Sequence, residues 1–257
     1  VQPVAVPLPG LVWTHNAASA DAPISAPSSG VCAVNGRRVG ISTCQGPLTE
    51  TRTQGITNDG TGWLFSGQGG VTRTDDNYRV QNAGLIPLRV AIDPHVNADG
   101  TNRLGGIHIG GIDVYNGLIY APIEDPSEGQ DPIKINNPEY QQPYISLIDA
   151  HTLRPTGRNI ALPPNLHEAG VPWVAINAAT KEAYTAEWDM HHDRINVFDT
   201  QMRFQRFIKL VYPPAFGAGF HLMRLQGAHV PGHPLFGSRD DDQKTVSAVD
   251  LDAGVWL

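Results

Sequence analysis

Short runs of alternating apolar and polar residues recur along the chain, each closing on an aspartate. Tyr144-Ile-Ser-Leu-Ile-Asp149, Arg194-Ile-Asn-Val-Phe-Asp199 and Thr245-Val-Ser-Ala-Val-Asp250 share this form. A period of two puts successive side chains on opposite faces, as in a half-buried β-strand. The terminal Asp suits a turn, where its carboxylate bonds nearby backbone amides. No window carries a capped apolar repeat at helical spacing. The pattern predicts an all-β chain.

A second set of segments gives the period. Gln54-Gly-Ile-Thr-Asn-Asp-Gly-Thr-Gly-Trp-Leu-Phe65 aligns with Gly110-Gly-Ile-Asp-Val-Tyr-Asn-Gly-Leu-Ile-Tyr120. Pro172-Trp-Val-Ala-Ile-Asn-Ala-Ala-Thr-Lys-Glu-Ala-Tyr184 and Gln226-Gly-Ala-His-Val-Pro-Gly-His-Pro-Leu-Phe236 continue the series. Each reads as strand, turn and strand ending in an aromatic residue, at an interval of about 55 to 60 residues. Further strands are expected at Asn159–Leu162 and Phe207–Val211. Four antiparallel strands per unit make a β-propeller blade. The expectation is about four blades, near residues 51–105, 106–165, 166–222 and 223–257, after an N-terminal segment at 1–50.

The third unit, Glu182-Ala-Tyr-Thr-Ala-Glu-Trp-Asp-Met-His-His-Asp-Arg-Ile-Asn-Val-Phe-Asp-Thr200, resembles the YVTN-type propeller repeat. The resemblance runs from about Gly110 to Gly254, with the first unit degenerate. It implies the blade architecture and carries no activity. The fourth unit reads as one strand short at Asp250-Leu-Asp-Ala-Gly-Val-Trp-Leu257. Two sources for the missing strand stand open: an N-terminal segment (Val4–Trp13 or the cysteine hairpin), or a second polypeptide completing the propeller.

Composition narrows the setting. The 257 residues include 27 Gly and 21 Pro, scattered as punctuation between strands, and 40% hydrophobic residues, enough to fold. A net charge of −7 without a basic stripe argues against nucleic acid as a partner. No apolar run is long enough for a membrane-spanning helix. The Val1-Gln2-Pro3 start reads as processed, and Cys32 and Cys44 flank an Asn35-Gly36 hairpin signal. A Cys32–Cys44 disulfide across that hairpin is expected, which places the protein in a secreted or periplasmic setting.

In a propeller the inner-strand starts and the loops after the second strands share one end of the ring. Register therefore gathers Gln54, His108, Pro172 and Gln226 with Gln68, Glu124, Asp125, Glu187, Asp189, Ser238, Arg239 and Asp240. His108, among glycines, is the candidate general base with Glu124 or Glu187, and Arg239 is placed to stabilise developing negative charge. Glu187, Asp189 and His191 are the candidate metal ligands. Carboxylates favour Ca2+ among divalent cations, and the plainer alternative is a solvated acidic loop. There is no G-x-S-x-G elbow and no phosphate-binding loop. The expected function is hydrolysis or lyase-type proton transfer on a small or carbohydrate-like substrate. The rivals are a non-catalytic propeller binding protein or glycan, and one chain of a split enzyme. If the acidic loop holds a divalent cation, chelation will lower the thermal unfolding midpoint and calcium will restore it. An unchanged midpoint removes the metal from the reading.

Overall fold

The computed structural model describes residues 32–34, 37–39, 54–67, 70–85, 108–124, 143–167, 170–187, 193–212, 225–232, 234–239 and 246–256. The strands are β1 (Cys32–Val34), β2 (Arg37–Val39), β3 (Gly55–Asn58), β4 (Trp63–Gly67), β5 (Gly70–Thr74), β6 (Val80–Leu85) and β7 (His108–Ile109). They continue as β8 (Asp113–Tyr115), β9 (Leu118–Glu124), β10 (Tyr144–Asp149), β11 (Pro155–Ala161), β12 (Val174–Asn177) and β13 (Glu182–Thr185). The last six are β14 (Arg194–Asp199), β15 (Phe204–Lys209), β16 (Leu225–His229), β17 (Pro234–Arg239), β18 (Val246–Asp250) and β19 (Val255–Trp256).

Four antiparallel sheets follow one another in chain order: β3–β6, β7/β8–β11, β12–β15 and β16–β19. Their inner strands β3, β8, β12 and β16 are neighbours around one axis, and β16 packs against β3 to close the ring. The chain is a four-bladed β-propeller. The first unit, degenerate against the repeat, is a complete four-stranded blade.

Two expectations are corrected. The fourth blade is not a strand short, because Val255–Trp256 pairs with β18 through Val249↔Trp256 and Asp250↔Val255. A two-residue strand after a glycine is too short to leave an alternating pattern. Its position is set by the third blade, where the Val211 amide donates to the Gly254 carbonyl at 2.8 Å. The cysteine segment does form a hairpin, but Val39 stands opposite Cys32, not Cys44. Cys44, and with it the disulfide, lies outside the described residues.

Each blade repeats one turn chemistry. After the third strand Asp75, Asp149, Asp199 and Asp250 each accept two backbone amides on Oδ1, from residues two to four positions later. The turn then needs a left-handed residue, supplied by Tyr78, Leu153, Met202 and Gly254 at φ 62, 56, 58 and 66°. Leu153 and Met202 tolerate that backbone because their side chains are buried between blades.

Apolar clusters fill three junctions. Leu64, Val71, Ile119 and Ile148 join the first and second blades, and Tyr120, Leu147, Ile176 and Phe198 the second and third. Trp173, Tyr184, Leu235 and Val249 join the third and fourth. Polar contacts add to them. Buried Arg73 holds Asp59 in its own blade and donates to the Ala150 carbonyl of the next, while the Tyr120 hydroxyl donates to the Thr200 carbonyl.

Four blades leave little room at the axis, and glycine fills the narrowest level. A Cβ on Gly111 would stand 2.9 Å from the Gln226 carbonyl oxygen and 3.0 Å from Gly227 Cα, across the ring. On Gly55 it would stand 2.8 Å from Gly111 Cα. Between β7 and β8 the inner strand of the second blade bulges, and Gly111 pairs instead with Trp173 of the third blade in a parallel bridge. At this level the axis is backbone. Gly111→Ala is expected to lower unfolding free energy by about 2 kcal/mol or more, from overpacking against atoms that cannot move aside. Gly232→Ala, where a Cβ meets nothing within 4 Å, is the control and should be near neutral in the same denaturation experiment.

Candidate functional site

The second strand of each blade runs toward the same end of the ring. In the second blade His108 and Glu124 are directly opposite each other, as are Ile109 and Ile123. In the fourth, Arg239 is opposite Leu225 at the end of β17. Glu187, half-buried, follows β13 by two residues in the third blade. The fold thus places the backbones of His108, Glu124, Glu187 and Arg239 at one end, and only His108 and Glu124 are strand partners. Gln54 and Pro172 flank the inner-strand starts as expected. Gln68, Asp125, Asp189, His191 and Asp240 lie outside the described residues. Among the described residues no three His, Cys, Asp or Glu side chains come together as a metal site.

The glycine level changes the shape expected of this end. A ligand here meets a face closed from below by Gly55, Gly111 and Gly227, not the mouth of an open channel. Two buried polar atoms at the inner-strand starts have no hydrogen-bond partner among the described residues, Gln54 Oε1 and Trp173 Nε1.

Beneath this end lies a buried polar group that the strand pattern does not reveal. His167 follows a 3-10 turn at Pro164–Leu166 and stacks on Phe198, with ring centroids 5.9 Å apart. Its Nε2 is 2.7 Å from the Thr185 hydroxyl and 3.4 Å from Asn196 Nδ2, which also donates to the Leu166 carbonyl at 3.0 Å. An amide nitrogen only donates, so Nε2 accepts, and the Thr185 hydroxyl donates to it as well. A hydroxyl on an imidazole is the pairing of a nucleophile and its base. Here Thr185 is fully buried, and burial holds His167 down to about 4 against a smaller upward pull from the Pro163 carbonyl. Such an imidazole is a poor base near neutrality. The cluster is structural, and it orders the loop that enters the third blade.

On the far side of the glycine level stands Asp113, only 4% exposed. Its Oδ1 accepts the Thr57 hydroxyl of the first blade at 2.7 Å and its neighbour's amide, Val114 N–H, at 2.8 Å. Its Oδ2 accepts the Ile176 amide of the third blade at 2.7 Å. Burial raises its pKa, opposed by the bonds from Thr57, Ile176 and Val114 and by the charge of His229. The sequence signal was present in the aligned Gly-Ile-Thr57, Gly-Ile-Asp113 and Gly-Ala-His229 segments.

No protein-family model matches the chain, and no curated protein matches it in sequence. Among solved structures it is similar to Kuenenia stuttgartiensis hydrazine synthase, at 16% identity and a TM-score of 0.44 over 81% of this chain. It is also similar to a chain of a nidogen/laminin complex (13%, 0.45, over 76%) and to the WD40 β-propeller domain of Doa1 (11%, 0.39, over 79%). The chain spans 48%, 59% and 52% of those three chains respectively.

The low basicity of His167 has a consequence for stability. The unfolded chain takes up a proton near pH 6.5 and the folded chain only near 4, so stability is present above 6.5 and is lost as pH falls through that window. The loss should reach about 3 kcal/mol at the acid end. His167→Gln is expected to flatten the limb between pH 6.5 and 4 in urea titrations. A wild-type slope retained in the variant would place the proton uptake elsewhere.

Proposed function

We propose that this propeller acts on a small or carbohydrate-like ligand at the end of the ring where the second strands exit. The chemistry is hydrolysis or lyase-type proton transfer. The supporting observation is the strand pairing of His108 with Glu124. Directly opposite residues of an antiparallel pair share one face of the sheet and are neighbours on it. A histidine beside a carboxylate is a suitable general base or acid. Glu187 and Arg239 come from the two following blades to the same end, the first as a second carboxylate and the second as a positive charge. A divalent cation bound by Glu187, Asp189 and His191, Ca2+ by preference, belongs to this reading, as does a secreted or periplasmic setting.

The glycine-filled axis favours a second reading, a propeller that binds a glycan or protein on this face without turning it over. The two readings separate in one series. A glycan panel is assayed for new reducing ends, the product of hydrolysis, and for the ultraviolet absorbance of unsaturated sugars, the product of elimination. His108→Ala and Glu124→Gln are expected to lower turnover by roughly a hundredfold or more while binding persists. Turnover unchanged in His108→Ala would defeat the catalytic reading. Binding without turnover in the wild type selects the second.

A further inference from the structure

Three junctions between blades are filled by apolar clusters, and among the described residues the fourth is not. Directly opposite residues of paired strands share a face. In the first blade Ile56 is opposite Phe65, and Trp63 is opposite Thr74, which is opposite Val80. Leu64 and Val71, on the other face, pack toward the second blade, so this face turns toward the fourth. Tyr78 stacks on Trp63 with ring centroids 6.0 Å apart and lies 6.5 Å from the Phe65 ring. In the fourth blade Leu235 and Val249 pack toward the third. Phe236, Ala248 and Val246 occupy the other face, turned toward the first.

Register shows what this junction lacks. Ile56 holds the inner-strand position of Ile112 and Val174, which are buried at their junctions, yet it is 50% exposed. Val246 holds the third-strand position of Ile145 and Ile195, both buried, yet it is 70% exposed. Ala248 stands where Leu147 and Val197 fill the other junctions. The inner strands β16 and β3 pack together at the axis, and the two walls beside them keep apolar groups exposed. Of the seven large apolar side chains exposed among the described residues, Ile56, Tyr78, Val80 and Val246 line this groove. Apolar surface gathered in one place marks a binding face.

We propose that residues 4–13 of this chain, Val4-Ala-Val-Pro-Leu-Pro-Gly-Leu-Val-Trp13, dock in the groove between the fourth and first blades. No Asp, Glu, Lys or Arg precedes Asp21, so the segment brings no such charge to an apolar wall. Pro7 and Pro9 lack amide donors and favour an extended polyproline conformation, which needs no sheet partner. Aromatic-lined grooves take such segments, and Trp63, Phe65 and Tyr78 supply the rings here. The chain enters the first blade at β3, on the groove's own wall, and the 40 residues between Trp13 and Gln54 leave ample length to reach it. A second copy fits less well, because each chain carries a net charge of −7 and facing copies repel. The segment then supplies apolar packing, not the fourth strand, which β19 already provides. This docking does not depend on the chemistry proposed for the strand-exit end.

The test incorporates the photo-crosslinker p-benzoylphenylalanine in place of Leu8 in the full chain, and crosslinked peptides are mapped by mass spectrometry. Crosslinks within the monomer, to peptides carrying residues 63–80 or Val246, are expected. Crosslinks to the same peptides in a covalent dimer give the groove to a second copy and overturn the proposal. Crosslinks confined to other positions, or none, overturn it too. Thermal unfolding supplies an independent readout. Leu8→Asp and Val246→Asp are each expected to lower the midpoint by roughly 4 °C. The double variant should fall little further, since both changes break one contact. A side chain left on the surface would cost almost nothing. An unchanged midpoint in Val246→Asp, or full additivity in the double variant, therefore overturns the docking. Val246→Ser replaces Val246→Asp if the latter does not fold.

Discussion

Asp113 is the constraint on which the ring depends. One carboxylate from the second blade accepts a hydroxyl from the first and an amide from the third, within 2.8 Å each. Burying a carboxylate is costly in isolation, and several donors offset the cost only while all are in place. Those donors are in place only when three blades are docked in register. The carboxylate thus links local strand geometry to closure of the whole ring. The apolar clusters at the blade junctions contribute more free energy, but they are non-directional and would tolerate sliding. The charged bonds at the axis specify one register.

The same crowding explains the glycines. With four blades the inner strands approach until backbone touches backbone, and a side chain at Gly111 or Gly55 would collide with main-chain atoms. One blade departs from the pattern. Trp173 sends its ring away into the apolar cluster between third and fourth blades and keeps only its Cβ near the axis. A filled axis divides the molecule into two separate ends. One carries the loops and strand exits with His108 and Glu124, and the other carries Thr57, Asp113 and His229. Such a scaffold offers its two faces to a ligand and, at the glycine level, no pore.

Much of the fold was legible because blades are local. Strands paired within a blade are close in sequence, so alternation, Asp turns and Asn-Gly signals mark them directly, as at Arg194–Asp199 and Asn116-Gly117. Val255–Trp256 leaves no mark in the sequence because two residues have no period, and its place depends on the bond from Val211 of another blade to the adjoining Gly254. His167 escaped for a related reason. Its partners Thr185 and Asn196 are distant in sequence, and its low basicity comes from burial that no local pattern encodes. Register placed His108 and Glu124 at one end of the ring, with Glu187 as an equal candidate, and the strand pairing between the first two is visible only in the structure.

By itself, the sequence determined the all-β class, the repeat and the end of the ring where each loop emerges. Alternation and turn chemistry are properties of neighbouring residues, and they repeat wherever the blade repeats. Tertiary structure decided that four blades close, that glycine backbone fills their axis, and that Asp113 ties three of them together. Those facts depend on the distance between inner strands of different blades. That distance is set by side-chain volume packed between whole sheets, which no single segment of the chain contains.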